Sequence, residues 1–161
     1  MQSLPRRIAG AVLVLFLAAG CESSRGLRIT PDKTWSGADW TEEEKAREIA
    51  VRNLWQTSEA SAHRIRLAKA EKPHVHEHHD LTVFVLKGSA RVFLDGRFVI
   101  ACAGDVVEIP RGTLHWAQNL EKWPSEVYAV FTPSYDGRDM RIVLDKIPEE
   151  VHPRAAAEKQ S

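Results

Sequence analysis

Histidine, the side chain best suited to transition-metal chemistry, is concentrated in one short stretch of this chain. Four of the seven histidines lie between His74 and His79, and another, His115, follows the turn-forming segment Pro-Arg-Gly-Thr-Leu. Imidazole is the commonest metal-binding side chain in proteins, and residues i and i+2 of a strand face the same side. The spacing of His74 and His76 therefore predicts that both hold one ion, with His115 arriving from another strand as a third ligand.

A less specific interpretation of the same histidines remains open. A histidine cluster in a loop is also compatible with a solvated surface tract, and single histidines are often ordinary core residues. The metal site is favoured because the stretch around His115 predicts a third ligand independently. His63 and His152 have no such support, so we interpret both as structural.

The elements that must position these histidines show the alternation of β-strands. His63, Ile65 and Leu67 alternate with polar or small neighbours, which is typical of a half-buried strand. Further strand candidates, separated by Gly and Pro, cover residues 81–86, 90–94, 98–101, 106–109, 126–131 and 140–144. Many short strands at close spacing predict an all-β sandwich or barrel.

A helix is predicted ahead of these strands. Thr41 and Glu44 fit a capping box, in which each side chain bonds the other residue's backbone N–H. Apolar residues from Ala46 to Leu54 then recur at helical spacing. The pattern predicts a helix over 42–54.

Residues 104–119 carry a five-position motif. They read Gly104-x5-Pro110-x-Gly112-x2-His115-x3-Asn119, and this string resembles the complete second motif of the cupin superfamily. The resemblance implies an antiparallel double-stranded β-helix, a small jelly-roll barrel. It also implies a divalent transition metal ion near the mouth of the barrel, and mixed nitrogen and oxygen ligands suit Fe, Mn, Ni, Cu or Zn.

The first cupin motif is incomplete. His74, His76 and Gly88 occupy motif positions, but Ala68 replaces the opening glycine. Leu81 stands where the motif has its ligand glutamate, and leucine cannot bind a metal ion. The sequence therefore departs from the family pattern at one ligand.

A neighbouring carboxylate is the candidate for that missing ligand. Asp80 lies next to Leu81, and a one-residue shift of the strand would turn it inward. With that shift, the predicted ligands are His74, His76, Asp80 and His115. Without it, Asp80 faces away from the site, and His78, His79 or water completes the ligand set.

The resemblance leaves the reaction open, because cupins include oxygenases, isomerases and ligand-binding proteins. One hypothesis is a metalloenzyme that acts on a small organic molecule. The other is a module that binds a small ligand or a metal without turnover. In both, the pocket walls are expected from the strands near Phe84 and Phe93. The resemblance also implies a homodimer paired through edge strands.

The first 20 residues resemble an export signal. Arg6 and Arg7 precede a short apolar run, and the small residues at 18–20 before Cys21 resemble a bacterial lipobox. The resemblance implies that Cys21 is lipidated, and Glu22 after it favours the outer membrane, with the domain facing the periplasm. An ordinary signal peptide that contains a cysteine is the alternative.

Composition and charge set the remaining bounds. The 161 residues carry a formal net charge of +0 and no long basic stretch, so nucleic-acid binding has no electrostatic basis. We expect residues 21–57 to form a tether with the short helix, 58–148 the cupin domain, and 149–161 a polar tail. Cys102, alone after Cys21, is expected to be a small buried apolar residue.

Overall fold

The computed structural model describes Arg28–Ile29, Thr34–Trp35 and residues 39–144. The predictions for the signal peptide 1–20, the lipidation site Cys21, His152 and the 149–161 tail lie outside the described residues. The chain divides into two compact units, Met1–Asp39 and Trp40–Ser161. In the first unit, two short strands, β1 (Arg28–Ile29) and β2 (Thr34–Trp35), pair antiparallel.

The second unit is almost entirely β-structure. Its described part contains one helix and ten strands: α1 (Glu42–Ala46), β3 (Ile49–Gln56), β4 (Ser61–Leu67), β5 (His74–Val75), β6 (Asp80–Lys87), β7 (Ser89–Leu94), β8 (Arg97–Cys102), β9 (Val106–Ile109), β10 (His115–Asn119), β11 (Ser125–Thr132) and β12 (Arg141–Ile142). No helix among the described residues is long and apolar enough to cross a membrane.

These strands form two antiparallel sheets of five strands each. One sheet has the order β3-β4-β11-β6-β9, and the other has the order β12-β5-β10-β7-β8. Neighbouring strands are mostly distant in sequence, so the chain passes repeatedly from one sheet to the other. The all-β double-stranded β-helix with one short helix is therefore confirmed.

The interior lies between the two sheets and follows the alternation of the strands. On β6, Leu81 and Val85 are buried, whereas Phe84 and Leu86 are 40% and 50% exposed. Apolar side chains from both sheets pack into two clusters, built around Leu81, Ile109, Ala129 and Phe131 and around Val85, Ala90, Val92 and Ala101. This period of two fixes which side chains can reach the interior.

The predicted helix over 42–54 is wrong beyond Ala46. The capping box at its start is present, since Glu44 N–H donates to Thr41 Oγ1 and Thr41 N–H donates to Glu44 Oε2. From Ile49 onward the chain forms β3, which pairs with β4. The ladder of hydrogen bonds to β4 overrides the weak local helical pattern, so the barrel begins ahead of residue 58.

Two motif residues shape the turns at the far end of the barrel. Gly88 has a φ of +80°, and a Cβ there would lie 2.5 Å from Ser125 Oγ. The Ser125 hydroxyl in turn donates to Asn119 Oδ1 at 2.7 Å. The Asn119 amide donates to the carbonyls of Glu121 and Trp123. Gly88 and Asn119 therefore serve loop geometry rather than metal binding.

Candidate metal centre

Strand pairing brings the predicted histidines together. His74 lies on β5 and His115 on β10, and the two residues are direct partners in the antiparallel register. His76 follows β5 by one residue, and its carbonyl accepts a hydrogen bond from Gly112 N–H at 2.7 Å. Gly112 belongs to the second motif, so the two histidine-bearing segments are fastened to each other at the site.

The three imidazole rings form a compact, buried group. The ring centroids of His74 and His115 are 4.3 Å apart, those of His74 and His76 are 5.1 Å apart, and those of His76 and His115 are 5.5 Å apart. One ring nitrogen from each residue lies within 4.8 Å of the other two. The three residues are at most 5% exposed, and burial of three polar rings side by side calls for a shared partner.

Backbone carbonyls fix the orientation of all three rings. The Nδ1 atom donates to Lys72 O at 2.7 Å in His74, to Asp139 O at 2.9 Å in His76, and to Thr113 O at 2.8 Å in His115. A carbonyl only accepts hydrogen bonds, so each Nδ1 carries a proton, and Nε2 is the nitrogen that offers a lone pair when the ring is neutral. This is the arrangement that metal-binding histidines use.

The surroundings of His76 and His115 disfavour the charged form of these two rings. Burial lowers the pKa of His115 to about 3, and the neighbouring His74 lowers it further. Burial also lowers the pKa of His76, again with a contribution from His74. The buried Nε2 of His115 has no hydrogen-bond partner among the described residues. Three imidazoles oriented in this way, each with Nε2 unused by the protein's own hydrogen bonds, fit a divalent transition metal ion, which binds the neutral form of the ring.

The prediction of Asp80 as a fourth ligand does not agree with the structure. The strand keeps its register, so Leu81 occupies the buried face, 7% exposed, and Asp80 lies on the other face. The Asp80 carboxylate accepts hydrogen bonds from the backbone and guanidinium of Arg111, and its side chain is 49% exposed. The contact with Arg111 lowers the pKa of Asp80 to about 2.

The two remaining histidines of the stretch are also outside the group. His78 is exposed. His79 is buried but uses both ring nitrogens, Nδ1 with Asp139 Oδ2 at 2.5 Å and Nε2 with Ser134 O at 3.3 Å. Neither residue provides the fourth ligand, and the geometry matches the alternative of three histidines with the remaining positions open.

Asp139 is a residue of the site that sequence reasoning missed. Its carboxylate accepts hydrogen bonds from the backbone N–H groups of Glu77 and His78 and contacts His79. These bonds outweigh the effect of burial and lower the pKa of Asp139 to about 2. Its backbone carbonyl orients His76. A single residue thus holds the 76–79 segment, which lies 60 to 63 positions away in sequence.

A cavity of about 520 Å³ opens from the three histidines into the barrel. Its walls come from inward residues of the strands that carry Phe84 and Phe93, such as Val83 and Val92, as predicted. Phe84 is 40% exposed, and Phe93 stacks on Trp116. Cys102 is exposed rather than buried.

Three further polar side chains line this cavity near the histidines. The Tyr135 ring stacks on Phe131 and lies 5.4 Å from the His76 ring, centroid to centroid. Burial raises the pKa of Tyr135. Glu71 accepts a hydrogen bond from Ala117 N–H at 2.9 Å, and burial raises the pKa of Glu71 against the opposing influence of His74.

His63 is the third of these groups. Its Nε2 lies 3.0 Å from Ser61 Oγ, which also accepts a hydrogen bond from Tyr135 N–H. Burial lowers the pKa of His63. The residue that the sequence suggested to be structural is therefore part of the cavity wall.

Comparison with known proteins agrees with this fold. The Cupin domain family model matches residues 63–131. An uncharacterized protein of Aquifex aeolicus (strain VF5) is 39% identical over 92 residues, which cover 57% of this chain and 75% of that protein.

Solved structures show the same relationship. KdgF from Halomonas sp. is 30% identical with a TM-score of 0.55, covering 62% of this chain and 89% of that chain. A Streptomyces PAC13 variant with uridine is 20% identical with a TM-score of 0.53, covering 66% and 90%. The motif around His115, the double-stranded β-helix and these relatives lead to one conclusion: the chain belongs to the cupin superfamily.

Proposed function

We propose that this protein is a metal-dependent enzyme that acts on a small organic molecule. His74, His76 and His115 would hold a divalent transition metal ion, one of Fe, Mn, Ni, Cu or Zn. The observation that carries the proposal is the convergence of three buried imidazoles whose Nδ1 atoms are all tied to backbone carbonyls. Such an ion supplies Lewis acidity, which polarises a substrate oxygen or activates water.

The residues around the histidines support catalysis. Three protein ligands leave coordination positions for a substrate, which distinguishes catalytic from structural metal sites. Tyr135 offers a phenolic O–H as a donor, and Glu71 offers a carboxylate as an acceptor, both on the wall of the same cavity. A donor and an acceptor beside the reacting position are the groups that general acid–base chemistry needs.

A binding module without turnover is the second candidate. Leu81 takes the place of the motif glutamate, and Asp80 lies on the surface with Arg111. The site therefore lacks the carboxylate ligand of the family motif, which is compatible with capture of a ligand and no reaction. The PAC13 variant, a protein of the same fold, was solved with uridine.

Metal content tests the first part of the proposal. The purified full chain is expected to retain about one equivalent of a divalent transition metal, measured by elemental analysis. His74→Ala and His115→Ala should lose it, because each removes one of three ligands. His78→Ala is the matched control, since His78 belongs to the same stretch but is exposed. Equal metal content in all four proteins would contradict the proposal.

Turnover separates the two candidates. The metal-loaded protein is incubated with a metabolite extract, and the extract is compared by mass spectrometry with one treated with His115→Ala. An enzyme should convert a compound in a metal-dependent way, and Tyr135→Phe should retain the metal but slow that conversion. A compound that is bound and released unchanged would favour the binding module.

We also propose that the protein is anchored in the cell envelope through Cys21, facing the periplasm from the outer membrane, and, from the family resemblance alone, that it is a homodimer. The support is the small-residue segment before Cys21 and the Glu22 that follows it. Labelled palmitate should be incorporated into the wild-type chain and not into Cys21→Ser. Incorporation that persists in Cys21→Ser would contradict the anchor.

A further inference from the structure

The register of the strands defines what lies along the cavity as it leaves the metal centre. On β11, Phe131 faces Leu81, Ala129 faces Val83, and Val127 faces Val85 across the β11–β6 pair. The His76 ring lies 5.2 Å from Phe131, centroid to centroid. From Phe131 to Val127, β11 therefore runs away from the histidines, and these four residue steps span about 14 Å at ~3.4 Å per residue.

The far part of the cavity is apolar on both sheets. On the β4 side Val127 pairs with Ile65, and on the other sheet Val92 pairs with Ala117 and Ala90 with Ala101. We call the six cavity residues Ile65, Val85, Ala90, Val92, Ala101 and Val127 the apolar wall. None of these side chains has a hydrogen-bond donor or acceptor.

The polar groups of the cavity are placed differently. His63, whose position pairs with Ala129, and Tyr135 lie against Phe131 at the metal end. Glu71 also lines the cavity on the metal side, near His74, and its carboxylate accepts from Ala117 N–H. Glu48 lines the opposite end, where its carboxylate pairs with Lys69. The Ser125 hydroxyl, beyond Val127 on β11, is engaged with Asn119 Oδ1 and Ser89 O. A bound molecule therefore meets hydrogen-bonding groups at the metal end and hydrocarbon along the apolar wall.

From this polarity we infer that the substrate is an amphipathic small molecule, with one anionic oxygen group for the metal and an apolar body against the apolar wall. A divalent ion with three neutral ligands keeps its positive charge and so favours an anionic oxygen. A polyhydroxylated body such as a sugar is disfavoured, because each hydroxyl would lose water and gain no partner on the wall. The inference rests on the proposed metal site and specifies its substrate class.

Straight-chain carboxylates test this class directly. The full chain is loaded with Co(II), and binding of acetate, butanoate, hexanoate and octanoate is followed by the visible spectrum of the metal and by calorimetry. Affinity should rise about fourfold per added methylene, which corresponds to about 0.8 kcal/mol each. Gluconate has the six carbons and the carboxylate of hexanoate but carries five hydroxyls, so it should bind no better than acetate.

A pair of matched variants tests whether the gain in affinity with chain length comes from contact with the apolar wall. Val127→Thr keeps the size of the side chain and adds a hydroxyl to the apolar wall, so hexanoate affinity should fall at least about threefold while acetate affinity and metal content stay constant. Val130→Thr makes the same change on the same strand, at a position that does not line the cavity. It should change neither affinity.

The outcomes separate the inference from the proposed function. Failure to retain Co(II) would overturn both, because the head group of the ligand would have no partner. Retention of Co(II) with affinities that are flat along the series, or with gluconate equal to hexanoate, would overturn the substrate class alone. The chain-length series uses the wild-type protein, so it decides the matter even if Val127→Thr fails to fold.

Discussion

His74 and His76 differ from His78 and His79 although all four lie within six residues of one another. In the first pair each Nδ1 donates to a backbone carbonyl, and neither Nε2 has a hydrogen-bond partner in the part of the chain that the structure describes. Of the second pair, His78 is exposed and His79 has both nitrogens occupied by protein oxygens. The comparison teaches that the bonding of the second nitrogen, more than residue type, decides whether a histidine can bind metal.

The largest expected effect contrasts the two buried members of this stretch. His76→Ala should abolish metal retention, because it removes a ligand. His79→Ala should weaken metal affinity by no more than roughly 10- to 100-fold, since His79 acts only through Asp139 and the orientation of His76. Affinities measured by competition with a chelator check this order. Equal loss of metal affinity in the two variants would contradict the distinction between a ligand and a residue that acts through Asp139.

A smaller effect is expected at Asp139, which joins the two pairs. Asp139→Asn keeps the shape but replaces one acceptor oxygen with an N–H₂ donor, opposite the His78 N–H and the His79 ring. Metal affinity should fall roughly tenfold, and the free energy of unfolding should fall by about 1–3 kcal/mol.

Chelator competition and chemical denaturation measure the two quantities. Asp136→Asn is the control, because among the described residues the Asp136 side chain accepts a hydrogen bond only from the nearby Arg138 N–H. If Asp139→Asn and Asp136→Asn gave the same metal affinity and the same free energy of unfolding, the Asp139 carboxylate would not hold the 76–79 segment in place.

The smallest effect is expected at Asp80, the carboxylate that lies on the surface. Arg111→Ala should raise the pKa of Asp80 from about 2 toward its ordinary 3.8, because the guanidinium hydrogen bond is lost. The contribution of Asp80 to stability is present above its ordinary pKa and is lost as the pH falls through about 2. An NMR titration measures the pKa, and metal content should not change. Loss of metal in Arg111→Ala would contradict this account and would indicate that Asp80 contributes to metal binding.

Much of the site was predictable because period and motif constrain it directly. The i, i+2 spacing places His74 and His76 on one face, and the motif around His115 fixes a turn that delivers a third imidazole. The same parity rule turns Leu81 inward and Asp80 outward unless the strand shifts. The structure has no such shift at this point, since Leu81 pairs with Phe131 and Asp80 with Thr132.

Other features depend on contacts that no local pattern contains. The apolar spacing from Ala46 to Leu54 suits a helix, but β3 forms because β4 offers a hydrogen-bonded partner. Asp139 could not be assigned, because its partners lie 60 to 63 positions away and no periodic signal links them. The cavity role of His63 likewise depends on the fold of β4 beside Tyr135.

X-ray absorption spectroscopy of the zinc-loaded full chain tests the central claim most directly, because it counts the imidazoles on the ion. The account predicts three histidine nitrogens at about 2.0–2.1 Å, with two remaining in His115→Ala. Light oxygen ligands should complete the coordination in both proteins. A spectrum with fewer than three imidazoles in the wild-type protein, or one unchanged by His115→Ala, would contradict a shared ion at His74, His76 and His115.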